Sequence, residues 1–349
     1  MFRLSVFIFI AFLSCTTEKL LPQYKFEFHS QYSDSVTSLR GLYAFNDEIC
    51  IAGGSGNKLL LTPDGGNKWV QIQTPSDENY DFRDVHLIGD TRILLMAAGQ
   101  PARLFYSDDL GKSYNVSYEN QNPAVFFNSM TFWNGNTGIA FSDPIDDKFL
   151  LVETNNGGAS WHEIDYGRRP ANEMNEAGFA ASGSMITTYG DGYVWFGTGG
   201  SVARIFYSND YGSNWRMSST PILHGESSQG IFSVSFKDSL NGVIVGGDYN
   251  QLNLRDSSAA WTNDGGKTWQ LSEVLPFGFR SCVAYVNDGI DEFYVATGPS
   301  GTDYSIDDGK NWVHIDSLGF HSVSVANDGK TIWLSGSEGR ISKLSFHRK

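Results

Sequence analysis

Cysteine is scarce in this chain: three residues in 349, at positions 15, 50 and 282. So few exclude a disulfide-stapled framework, and no histidine or further cysteine stands at metal-ligand spacing from Cys50 or Cys282. Both lie in strand-like apolar segments, where buried free thiols are expected. Basic residues are also in deficit, 25 Lys and Arg against 39 Asp and Glu, for a formal charge of −14. A phosphate backbone demands a basic face, so a general nucleic-acid binder is excluded. Missing too are the G-x-S-x-G elbow, His-Glu-x-x-His, the G-x-x-x-x-G-K-Ser/Thr loop and a G-x-G-x-x-G that follows a strand and opens a helix. No catalytic residue, cofactor or resident metal is therefore expected. Sustained 3.6-residue periodicity is absent beyond the first residues, and no apolar run reaches the roughly 20 residues of a membrane-spanning helix.

What is present begins with MFRLSVFIFIAFLSC: one basic residue, Arg3, an apolar run from Leu4 to Leu13, then Ser14 and Cys15. The run is the length of a secretory signal core, and a small residue before cysteine has the build of a lipobox. The expected division is a lipoprotein signal peptide over 1–14, a linker over 15–24 after a lipidated Cys15, and one folded domain over 25–349. Membrane attachment would be by lipid alone, and the site a cell envelope, periplasmic or surface-facing.

One turn motif then recurs six times: TPDGGNKW (62–69), SDDLGKSY (107–114), TNNGGASW (154–161), SNDYGSNW (208–215), TNDGGKTW (262–269) and SIDDGKNW (305–312). The spacing of 43 to 54 residues is that of a propeller blade. An aspartate can accept hydrogen bonds from amides of its own turn, glycine supplies a backbone angle other residues resist, and the aromatic anchors the turn. Asp64, Asp109, Asp210, Asp264 and Asp307 thus read as structural, and Asn156 in the third copy fits a hydrogen-bonding role and no acid/base role.

Around each copy lie short alternating strands joined by Asn, Asp or Gly turns, as in SVSFKDSLNGVIVGGD (233–248). Seven innermost strands are read near Leu39, Phe82, Phe127, Ala177, Ile231, Phe279 and Phe320. The last unit has three strands and no turn motif after it, so KFEFHSQY (25–32) is expected to close the ring as its fourth strand. The fold class is therefore all-β, a seven-bladed β-propeller of about 46 residues per blade.

The repeats with the segments before them, among them GNKLLLTPDGGNKW, QPARLFYSDDLGKSY and GIFSVSFKDSLNGVIVGGDY, resemble the photosystem II stability and assembly factor-like family of BNR or Asp-box seven-bladed propellers, here as a bacterial lipoprotein. The resemblance covers essentially the whole chain after the signal. It implies a non-catalytic scaffold, expected as a monomer, that binds a protein partner in or at a membrane and assists assembly or stability of a membrane or envelope complex. Asp-box turns also occur in sialidases and receptors, so a sialidase-like glycosidase or a glycan-binding propeller is the alternative.

Propellers place function at the axial mouth, where the innermost strands begin. There the sequence reads LRG (39–41), FRD (82–84), FNS (127–129), IFS (231–233), FRS (279–281) and FHS (320–322). Arg40, Arg83, Asn128, Arg280 and His321 fall in register and can form a partly cationic ring suited to a carboxylate or an acidic peptide. Equally, these arginines can serve only as salt links between blades. EAGFAAS (176–182) aligns ambiguously, and the fifth blade offers Phe232 in place of a polar residue. Arg40, Arg83 and Arg280 also imitate the arginine triad of a sialidase, but no Arg-Ile-Pro segment lies near the first blade and no tyrosine and glutamate can be placed together. DPIDDKF (143–149) is either a calcium loop or, the simpler reading, a solvated hairpin tip. Arg168 and Arg169 open the longest insertion and are further candidates for partner contact.

Overall fold

The computed structural model describes residues 23–76 and 78–349; the expected signal 1–14 and Cys15 lie outside the described residues. The described chain is a ring of seven antiparallel sheets. Blade 1 runs through Leu39–Ala44, Cys50–Gly54, Lys58–Thr62 and Val70–Gln71, in order from the axis outward. Blades 2, 3, 5 and 6 repeat this order from innermost strands at Asp81–Ile88, Phe127–Phe132, Gln229–Phe236 and Cys282–Asn287. A single 3-10 turn, Tyr166–Arg168, is the one helical element among the described residues.

Strand periodicity shows why blades must stack. Along Arg92–Ala98, Ile93 and Leu95 join a cluster with Ile51, Leu59 and Leu61 of blade 1. Leu94 and Met96 point the other way, to Met130, Ala140 and Leu150 of blade 3. A middle strand has a neighbour on each face, so it reads as a continuous apolar run, and neither face can be buried by the blade alone.

The ring closes as expected. Tyr24–Tyr32 pairs antiparallel with Ile341–Arg348, so the N-terminal strand is the outermost of blade 7, whose other strands are Ser322–Val325 and Ile332–Ser335. Tyr24, Phe26, Phe293 and Phe346 pack together there, with ring centroids 4.8 to 6.5 Å apart. Closure therefore rests on an aromatic cluster as well as the ladder.

Blade 4 departs from the sequence reading. Its innermost strand is Ile186–Tyr189, followed by Tyr193–Gly197, Arg204–Ser208 and Arg216–Ser219. Glu176–Ala177 is not that strand; it pairs with Gly199–Gly200, which bridges to blade 5 at Gly230. The reason is an ion pair. The Glu176 carboxylate is fully buried against the Arg204 guanidinium, with Arg204 Nε 2.9 Å from Oε1, and it also accepts from the Thr198 hydroxyl at 2.5 Å. That pair fixes Glu176 at the blade's edge and frees residues 178–183 to cross toward the axis.

The six turn motifs share one hydrogen-bond pattern. In the first, the Thr62 hydroxyl donates to Asp64 Oδ1 at 3.0 Å and accepts from the Gly66 amide at 2.8 Å, while the Lys68 amide donates to Asp64 Oδ1 at 2.9 Å. Gly66 has φ +90°, and a Cβ there would come within 2.6 Å of Trp333 in blade 7. In the third, Asn156 Oδ1 accepts from the Ser160 amide at 3.0 Å and its Nδ2 donates to the Ser160 hydroxyl at 2.9 Å. In four other copies that partnership runs toward the carboxylate, from the Ser113 and Thr268 hydroxyls to Asp109 and Asp264, both at 2.7 Å, and from the Asn214 and Asn311 side-chain amides to Asp210 and Asp307 at 2.7 and 2.8 Å. The Ser113 hydroxyl and amide, with the Ser107 hydroxyl, hold Asp109 down to about 2. DPIDDKF is a hairpin whose tip residues Asp146 and Asp147 have φ +50° and +67°. Among the described residues no group of three or more His, Cys, Asp or Glu is placed to hold a metal ion.

Candidate functional site

In blades 1, 2, 3 and 5 the second residue of the innermost-strand triplet sits on a backbone irregularity. Register slips between Leu39 and Gly41, Phe82 and Asp84, Phe127 and Ser129, and Ile231 and Ser233 leave Arg40, Arg83, Asn128 and Phe232 as bulged residues. A bulge at the rim of a sheet re-aims one side chain out of the alternation. The third residues instead tie blade to blade. Asp84 Oδ2 accepts from the Met130 amide at 2.7 Å, Ser233 Oγ accepts from the Val283 amide at 2.9 Å, and Ser281 Oγ donates to the His321 carbonyl at 2.7 Å.

Above this belt lies a cavity of about 510 Å³ at the mouth of the axis. Arg40, Arg83 and His321 line it on the side of blades 7, 1 and 2. Phe179, Phe232, Tyr249, Leu252 and Phe279 line the opposite side. The insertion ahead of blade 4 supplies the floor between them. The Arg40 and Arg83 guanidiniums each reach a backbone carbonyl of that segment, Ala181 and Ala180, at 3.4 Å.

The two arginines differ electrostatically. Arg83 holds Asp81 at 2.8 Å. Arg40 forms no ion pair among the described residues, and burial together with the charge of Arg83 draws its pKa below the usual guanidinium value. A partly buried guanidinium without a carboxylate is a standing demand for an anion. His321 is pushed down to about 3 by burial and by the charges of Arg40 and Arg83, so it lines the cavity as neutral imidazole. Its Nδ1 is buried without a hydrogen-bond partner.

Two members of the expected ring do not face the cavity. Arg280 is fully buried, 2.6 Å from Asp303 through Nε, and its remaining donors go to the carbonyls of Phe277 and Phe279 and the Ser300 hydroxyl. Its strand starts at Cys282, so it carries no bulge, and Asp303 holds its guanidinium inside blade 6. Asn128 is fully buried too; its Nδ2 donates to Asp143 Oδ1 at 2.9 Å. Asp143, raised by burial, also accepts from the Gly178 amide at 2.9 Å and so pins the insertion to blade 3.

Arg168 and Arg169 lie away from the mouth. Arg169 donates to the Ile164 carbonyl at 2.6 Å and pairs with Glu163 at 2.8 Å, while Arg168 comes only within 3.8 Å of Glu153. Both line a separate cleft with Phe206, Trp215 and Met217 on the outer part of blade 4.

The aromatic half of the mouth was not read from sequence. Phe232 stood there as a gap in a polar register, yet its ring stacks on Phe179 at 4.0 Å and meets Phe279 edge-on at 4.7 Å. The available signal was the aromatic residue at a bulged position, in step with the arginines of blades 1 and 2. The Ser281 hydroxyl donates to the His321 backbone carbonyl at 2.7 Å and does not meet its ring.

Fold and site together define a seven-bladed β-propeller whose axial mouth is cationic on one side and apolar on the other. No family model and no curated protein matches the chain. Among solved structures it is similar to YCF48 bound to D1 peptide, at 13% identity and TM-score 0.61, covering 95% of this chain and 99% of that one. It is also similar to YCF48 from Cyanidioschyzon merolae, at 15% identity and TM-score 0.63, covering 91% and 98%. At such identity the likeness establishes the shared fold.

Proposed function

We propose that the protein is a non-catalytic, lipid-anchored propeller scaffold that docks a protein partner at its axial mouth and assists assembly or stability of a membrane or envelope complex. The observation that carries this reading is Arg40, a guanidinium in the mouth that forms no ion pair among the described residues, beside Arg83. The similarity to YCF48 bound to D1 peptide supports a protein as the ligand class. The signal-like run Leu4–Leu13 ahead of Cys15 supports lipid anchoring. A glycosidase reading loses its arginine triad, because Arg280 is closed off against Asp303.

The test is capture of membrane proteins by the full chain in detergent, wild type against the double variant Arg40→Ala, Arg83→Ala. Loss of a specific partner from a variant with unchanged melting temperature supports the mouth as the docking site. An identical partner set in both excludes it. Intact mass of the processed N-terminus separately tests lipidation at Cys15.

A further inference from the structure

The division of the mouth says more about what it takes than its charge does. We infer that the axial mouth recognises an acidic and a bulky apolar side chain together, presented on a short extended segment of the partner, with blades 1 and 2 reading the carboxylate and blades 5 and 6 reading the apolar group. This rests on the docking role proposed above and specifies the ligand for it.

The apolar half is built as a fixed surface. Asp248 accepts from the Asn250 amide at 2.8 Å and from Gln251 Nε2 at 3.0 Å, which shapes the start of the long loop between the second and third strands of blade 5. The Leu252 carbonyl then accepts from the Phe279 amide and the Ser300 hydroxyl, both at 3.0 Å, which ties that loop to blade 6. Tyr249 stands edge-on to Phe179 and Phe232, with centroids 6.3 and 6.1 Å away. Despite this anchoring, Tyr249 remains 46% and Leu252 36% exposed at the cavity edge. Rigid, exposed apolar side chains around a concavity are the features of a binding anchor site.

The cationic half is held differently. Arg40 contacts its backbone carbonyl at 3.4 Å, longer than an ordinary hydrogen bond, so a carboxylate of the incoming segment replaces a poor acceptor there with a strong one, while Arg83 keeps Asp81 on Nε and offers its Nη1 edge, held only by a carbonyl at 3.4 Å. The volume, about 510 Å³, suits a drug-sized ligand or a few residues of chain, not a folded surface. A purely acidic segment would leave the aromatic side unmatched, and a purely apolar one would leave Arg40 buried further without an anion.

The test uses three capped five-residue peptides that differ at two positions: one carrying Asp and Phe two residues apart, one with Asn for Asp, one with Ala for Phe. Binding to the full chain is read by NMR titration or calorimetry. The Asp/Phe peptide is expected to bind at least about tenfold more tightly than either other. Arg40→Ala is expected to abolish the Asp/Asn difference alone, and Leu252→Ser, a change at an exposed side chain, to reduce the Phe/Ala difference alone. Equal binding of the Phe and Ala peptides with the Asp/Asn difference intact overturns this inference and leaves the anion-reading mouth standing. Equal binding of the Asp and Asn peptides overturns both. If none of the three binds, the two-part recognition is wrong, and the docking role then stands or falls on the capture experiment.

Discussion

Arg40, Arg83 and Arg280 occupy the same place in their repeats and have different fates. Nothing in the triplets LRG, FRD and FRS separates them; the separation comes from the strand bulge and from Asp303, 23 residues along the chain from Arg280. Removing one partner of a buried pair leaves the other charge uncompensated, so Asp303→Ala is expected to destabilise by about 3–5 kcal/mol in denaturant unfolding. Arg40→Ala, with no ion pair to break, is expected to change stability by less than about 1 kcal/mol in the same measurement. The turn aspartates were legible because six copies repeat, and the Asn156 copy shows which part of the chemistry matters. Asp264→Asn should therefore keep most of the stability that Asp264→Ala loses, about 1.5–3 kcal/mol, as judged by thermal melts. His321 supplies a pH test. Its folded pKa of about 3 lies below the ordinary histidine value, so the unfolded chain takes up the proton first and stability is lost as pH falls from about 6.5 toward 3. His321→Leu is expected to lack that loss, by up to about 1.4 kcal/mol per pH unit relative to wild type, in melts across that range.

Among the elements, the closing strand could be read from sequence and the insertion could not. KFEFHSQY alternates apolar and polar residues and faces a final unit one strand short, so its place followed from counting. Residues 170–183 have no period, and their anchors are long-range: Glu176 to Arg204, and Gly178 to Asp143. A triplet alignment there found Ala177, but the strand it sought begins at Ile186. Deleting Tyr24–Tyr32 would bare Ile341–Arg348 as an unpaired edge and expose Phe293 and Phe346. The truncated chain is expected to self-associate in light scattering more than the full chain at the same concentration.

At the scale of the whole molecule, blades exist because each middle strand is apolar on both faces, and the ring exists because stacking seven such sheets gives every face a neighbour to bury against. Repetition makes the platform, and the differences between blades make the mouth: arginine at the bulge in blades 1 and 2, phenylalanine in blade 5, a long pinned loop beside it, and an inserted floor from blade 4. The architecture was legible because it is periodic. The polarity of the mouth was not, since it emerges only when residues from six blades and an insertion meet at one axis. The most direct measurement places a photo-crosslinkable residue at position 252, at the mouth, and at position 217, on the outer part of blade 4, in the full chain in its own cells. A mouth that docks a partner gives one crosslinked protein from position 252, lost when Arg40 and Arg83 are both changed to Ala, and none of it from position 217. Crosslinks from position 217 alone, or crosslinks from position 252 that persist without the two arginines, would contradict docking at the mouth.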